Sequence, residues 1–164
     1  MRVTKFPQSC LVLEKDGQRL AIDVGSLLTP RYSLEDLGQL DAVLYTHEHP
    51  DHYDPGLAEQ LAAQGVKLYA NQSVARLVGQ GVDTVTNRQK FEVAGFAIEA
   101  YDLPHCKLTD GSDGPPNTGF IVDGTLFHPG DGDQTTGLTV PDVALPIAGP
   151  TITLDGAVEF ARSL

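Results

Sequence analysis

Tryptophan is absent from the chain, methionine occurs once, and cysteine twice, at Cys10 and Cys106. Two cysteines cannot build a disulfide framework, so a reducing cytoplasm is the default expectation. No stretch approaches the ~18 consecutive apolar residues that a membrane-spanning helix needs. The opening MRVTKFPQSC also lacks the apolar centre of a secretion signal. Without such a signal, the glycosylation-like triplet Asn71-Gln72-Ser73 reads as a chance match. Positive charge is scarce too: 11 Lys plus Arg stand against 22 Asp plus Glu, for a formal net charge of −11. That balance gives no electrostatic grip on a nucleic-acid backbone or an anionic membrane, so neither is expected as a partner.

What is present suits a folded domain. Hydrophobic residues make up 41% and charged residues 20% of the 164, enough to bury a core within one domain spanning residues 1–164. Seventeen Gly and eleven Pro without a period predict many turns rather than a helical bundle. Residues 3–6, 10–13 and 20–22 read as strands, the last two joined by an Asp16-Gly17 hairpin turn. Residues 41–45 (DAVLY) form a short apolar run that suits a buried strand. A helix over 55–64 follows, with Pro55 at its start and Gly65 as its stop, then a strand over 67–70 and a short helix over 73–78. In the second half, 96–103 alternates as a strand, 118–122 and 125–127 form a hairpin around Asp123-Gly124, and 142–146 reads as another buried strand. The tail, 153–164, places Leu154, Ala157, Val158, Ala161 and Leu164 on one helical face. Strands alternating with loops and helices give an α/β (α+β layered) class. The polar, Gly- and Pro-rich segment 104–117 is long enough for a binding loop, with Lys107 and Asn117 read as solvated members of it.

The chemistry concentrates after residue 45. His47-Glu48-His49-Pro50-Asp51-His52 packs three imidazoles and two carboxylates into six positions, using three of the five histidines in the chain. Neutral imidazole with carboxylate suits zinc, manganese or iron. In an extended stretch His47 and His49 project to one side and can share an ion. Asp51 and His52, past the bend at Pro50, can then reach a second ion or a water. Two strand-end segments are candidate partners: Leu103-Pro104-His105 and Phe127-His128-Pro129-Gly130-Asp131. Cys106, next to His105, has no paired base in the sequence and reads as structural.

The His-x-His-x-Asp-His run at His47, His49, Asp51 and His52 resembles the signature of the metallo-β-lactamase superfamily. Ala21-Ile22-Asp23, His105 and Gly130-Asp131 extend the resemblance along the chain. Pro50 and the stretch 143–149 look most like the ascorbate-6-phosphate-lactonase-like branch of small metal-dependent hydrolases. The resemblance implies a metallo-β-lactamase-like αββα sandwich holding one or two divalent ions, zinc first. It implies His47, His49 and His105 as ligands of one metal, Asp51 and His52 as ligands of a second, and Asp131 as the bridge. It also implies Asp23 as a buried residue that orients a ligand from beneath. The chain departs from the branch in three places: Gln8-Ser9 replaces a His-Ser pair, Val24 replaces a Pro, and the chain stops at Leu164, before the strand that carries the family's last ligand His. His128 is a candidate substitute, with packing or support the preferred role. A short C-terminus implies a second site with fewer ligands and weaker affinity, and an open sheet edge that favours a homo-oligomer.

The function that follows is metal-dependent hydrolysis. A metal lowers the pKa of its water from ~15.7 toward ~7, and Asp51 is the candidate to orient that water and shuttle its proton. A small ester, lactone or phosphoester is the expected substrate. Two alternatives stand beside it: a metal-binding module of weak or no catalysis, and an RNA-processing nuclease, against which the charge argues.

Overall fold

The computed structural model describes residues 1–29, 31–134, 137–147 and 152–164. Two sheets face one another. The first has six strands in sequence order: β1 (Arg2–Lys5), β2 (Leu11–Lys15), β3 (Gln18–Ile22), β4 (Ala42–Tyr45), β5 (Lys67–Ala70) and β6 (Val82–Thr84). β1, β2 and β3 pair antiparallel, whereas β3 through β6 run parallel. The second sheet is ordered β11 (Asp142–Val143), β10 (Leu126–His128), β9 (Asn117–Val122), β8 (Phe96–Leu103) and β7 (Lys90–Val93).

The two-residue period of each strand separates three apolar layers. In β4, Ala42 and Leu44 point between the sheets, while Val43 and Tyr45 point outward under the helices. In β9, Phe120 and Val122 meet Leu13, Leu20 and Ile22 across the sandwich, while Ile121 faces the other way. Helices α1 (Pro55–Ala63) and α2 (Gln72–Val78) cover the outer face of the first sheet. Helix α3 (Leu154–Arg162) covers the second through Phe160, which packs with Leu103, Ile121 and Phe127. The layers therefore run helix, sheet, sheet, helix, the αββα sandwich expected from the sequence.

Local signals explain most of the elements. Asp16 and Gly17 both take positive φ, as a tight hairpin turn requires. Asp54 caps α1 by accepting from the Leu57 N–H at 2.9 Å, with Pro55 in the first turn. Two expectations are corrected. Ladder pairing at 142–146 stops after Val143, with Asp142 and Val143 paired to Leu126 and Phe127. Residues 148 and 149 of the 143–149 stretch lie outside the described residues. Helix α3 does not bury Leu154 and Val158, which are 68% and 38% exposed; Ala157 and Phe160 are its buried residues. The bulkiest apolar side chain decides the rotation of a short helix. Strands β6 and β7 carried no local signal and are held by their partners β5 and β8.

Topology brings several strand ends together at one edge of the sandwich. Parallel β3, β4 and β5 all end there, antiparallel β2 starts there, and β8 and β10, both antiparallel to β9, end there on the opposite sheet. The Thr118 N–H bonds the Thr46 carbonyl at 2.9 Å and ties the two sheets at this edge.

Candidate metal centre

The loop after β4 is built as a tight turn. The N–H groups of His52 and Tyr53 both donate to the His49 carbonyl, at 2.9 and 2.8 Å. From outside, Ser26 holds the bend, its N–H and hydroxyl each donating to the Pro50 carbonyl at 2.7 Å. Gly25 lies against the Asp51 backbone so closely that a Cβ there would collide with it. Across the edge, Gly130 turns the chain after β10 at φ 61°, with Thr46 and Asn117 filling the space a side chain would need.

Four side chains converge at this edge: His47, His49, His105 and Asp131 each offer one donor atom, all within 4.8 Å of one another. His47 Nε2 is 3.1 Å from His49 Nδ1, His105 Nε2 is 3.2 Å from the same atom, and Asp131 Oδ2 is 3.5 Å from His105 Nε2. The outward nitrogens fix which atoms point inward. His105 Nδ1 donates to the Cys106 carbonyl at 2.7 Å. Thr46 Oγ1 gives its proton to Asp23 Oδ2 at 2.8 Å and lies 3.1 Å from His47 Nδ1, so it accepts from that nitrogen. The network thus assigns unprotonated Nε2 lone pairs to His47 and His105, both aimed into the cluster. Burial, reinforced by neighbouring His52, pushes His47 down to about 3, and burial with His105 beside it also lowers His49. Neutral imidazoles around a carboxylate are the donor set a divalent transition ion takes, and the site fits one.

Asp51 and His52 lie outside that group of four, on its flank. His52 Nε2 is 3.2 Å from Asp131 Oδ1, 3.7 Å from Asp51 Oδ2 and 2.9 Å from Ser9 Oγ. Its other nitrogen lies 2.8 Å from Asp23 Oδ2. Burial alone would lower His52, but the Asp23 and Asp131 carboxylates overcome it and raise it to about 10. Burial likewise opposes ionisation of Asp131, yet the His52 hydrogen bond and the histidine charges hold it at about 2. Asp23 is fully buried, takes a left-handed φ of 58°, and also accepts from the Thr46 N–H at 2.8 Å. A strained, non-glycine backbone at such a place is maintained by the contacts its side chain makes.

His128 does not join the converging donors. Its Nδ1 accepts from the Gly130 N–H at 3.2 Å and its Nε2 donates to the Ser9 carbonyl at 3.1 Å, which bridges the β1–β2 connection to the Asp131 turn. Sequence reasoning missed several supports. Asn117 is not a solvated loop residue: it is buried, donates to the Pro129 carbonyl at 2.9 Å and accepts from the Asp131 N–H at 3.3 Å. Asn71 of the chance triplet caps α2 and donates to the carbonyls of Thr46 and Pro116, each at 2.9 Å. Ser9 and Thr46 complete the set. Polar residues at strand ends flanking a histidine-rich loop were the available signal.

The profile of the beta-lactamase superfamily domain matches residues 2–164. The chain belongs to this superfamily. Protein Rv0786c of Mycobacterium tuberculosis is 30% identical over 173 residues, an alignment covering all of this chain and 79% of that one. A Parabacteroides distasonis structure, itself provisionally assigned as a metal-dependent hydrolase, superposes with TM-score 0.81 at 24% identity, covering 98% of this chain and 76% of that one. Igni18, a metallo hydrolase of Ignicoccus hospitalis, gives TM-score 0.73 at 24% identity over 98% of this chain and 77% of its own. These likenesses establish the superfamily fold; they do not distinguish the lactonase-like branch within it.

Proposed function

We propose that the chain is a metal-dependent hydrolase of a small ester, lactone or phosphoester. The observation that carries this reading is the convergence of His47, His49, His105 and Asp131, with the outer nitrogens of His47 and His105 already committed. These four would hold one divalent ion, zinc first and manganese or iron on the same donors. His52 and Asp51 would hold a second, sharing Asp131, with three donors among the described residues against four for the first. A bound ion supplies Lewis-acid activation of water and of the electrophile. Asp51, with a side chain 38% exposed beside His52, orients the attacking water and takes its proton at Oδ2. Asp23 and Thr46 hold His52 and His47 in the required tautomers.

Metal content after reconstitution tests the reading, together with turnover on a panel of nitrophenyl esters, a lactone and a phosphodiester. His47→Ala and His105→Ala should each lower bound metal sharply while the far-ultraviolet spectrum persists. Full stoichiometry in both variants would refute the ligand set. Metal bound without turnover on any substrate would leave a binding module instead of an enzyme.

A further inference from the structure

A cavity of about 480 Å³ opens beside the flank of the cluster, with Ser9, Asp51 and Asp131 on its polar side. That volume suits a small organic molecule. An aliphatic wall is formed by Leu11, Ala144, Pro146 and Ile147. The wall is anchored, because the Ala144 N–H donates to the Phe127 carbonyl at 2.8 Å, directly beyond the β10–β11 pairing. Ile147 is 61% exposed there, an apolar side chain left bare at the mouth of a polar site. Single exposed apolar residues are ordinary; one that continues a half-buried aliphatic lining gains burial when a ligand covers it.

The side chains along the same cavity offer a phosphoryl group little cationic help. Among the described lining residues Lys5 is the one cation, and its Nζ contacts the backbone carbonyls of Phe6 and Gln8. Among the described lining residues no arginine offers the planar fork that phosphate recognition favours. An uncharged acyl chain needs no such group and brings apolar surface to the wall.

We propose that this cavity takes an ester or lactone whose acyl portion is a short aliphatic chain, in preference to a phosphoester. The proposal rests on the hydrolase reading above and narrows its substrate class. Each methylene covered by the wall should raise kcat/KM roughly fourfold, until the cavity is filled.

The test uses the metal-loaded protein with nitrophenyl acetate, butyrate and hexanoate and bis-nitrophenyl phosphate. Alongside it, methyl chemical shifts of the metal-free protein are followed on adding hexanamide, a neutral acyl probe. The expected result is a rise in kcat/KM from acetate to butyrate, little phosphodiester turnover, and probe-induced shifts at Leu11 and Ile147 methyls. Ile147→Ser, a change at an exposed position, should flatten the chain-length trend and weaken the probe shifts. Ester turnover with no chain-length trend and no methyl shifts would overturn the acyl assignment and leave the hydrolase reading standing. So would a preference for the phosphodiester. Methyl shifts without turnover of any substrate would instead sink the hydrolase reading while keeping the aliphatic site.

Discussion

Asp23 and Asp51 are both aspartates on the His52 side of the cluster, and under the proposed function their surroundings suit them to opposite duties. Asp23 is fully buried and accepts from the Thr46 N–H, the Thr46 hydroxyl and His52. Asp23→Asn keeps the volume but removes the charge that faces His52. It should lower the denaturation midpoint of the metal-free protein clearly and weaken metal binding by about 10–100-fold, as the loss of a ligand's supporting partner does. Chemical denaturation and a metal titration check both parts. Asp51 is exposed enough that its charge is already solvated, so Asp51→Asn should leave metal-free stability nearly unchanged. Turnover should fall by ~10²–10⁴-fold. Steady-state kinetics on any active ester, beside a melting curve, separates the two duties. The histidine run was legible because chemistry at this density is rare in a short segment, whereas the strand-end Asp131 was a weak signal alone and took its role from the family resemblance. Ser9, Thr46 and Asn117 were not, because a polar residue at a strand end looks the same in sequence whether it faces solvent or holds a ligand loop.

Elements were legible where their causes are local. The Asp16-Gly17 turn, the Asp54–Pro55 start of α1 and the apolar β4 need no distant partner to be recognised. Strands β6 and β7 do, since their short segments are specified by the ladders of β5 and β8. Helix α3 had two apolar stripes within reach of its sequence, and the one containing Phe160 is buried against Leu103, Ile121 and Phe127. Phe160 is the largest apolar side chain of the helix and is the one the fold buries. Phe160→Ala should therefore cost about 3–5 kcal/mol, whereas Leu154→Ser, at a position 68% exposed, should stay within about 0.5 kcal/mol. Urea titrations of the two variants give the comparison, and similar losses in both would reverse the assigned face.

For the whole molecule, the alternation within each strand made the layers readable, while their meeting at one edge depends on strand directions that no single segment encodes. That edge concentrates ionisable groups, which sets the acid response of the metal-free protein. His47, lowered to about 3 by burial, stays neutral in the fold while an unfolded histidine charges near its ordinary 6.5. The unfolded chain then binds the extra proton between those values, so stability falls as pH drops from about 6.5 toward 3. His52 is raised to about 10, so its contribution is complete below 6.5 and is lost progressively as pH rises from 6.5 to 10. Thermal midpoints in chelator should accordingly be lower at pH 4 than at pH 7, and should fall again between pH 7 and pH 10. No helix among the described residues is long and apolar enough to cross a membrane. The donors themselves come from both sheets: His47 and His49 follow β4 of the first, His105 and Asp131 follow β8 and β10 of the second. An ion seated among them is a clasp between two halves of the sandwich, and its grip is mechanical as well as chemical. Sliding one sheet past the other by a fraction of a strand spacing would break the coordination, so slow amide exchange at the ends of β4, β8 and β10 becomes a gauge of occupancy, readable without any substrate.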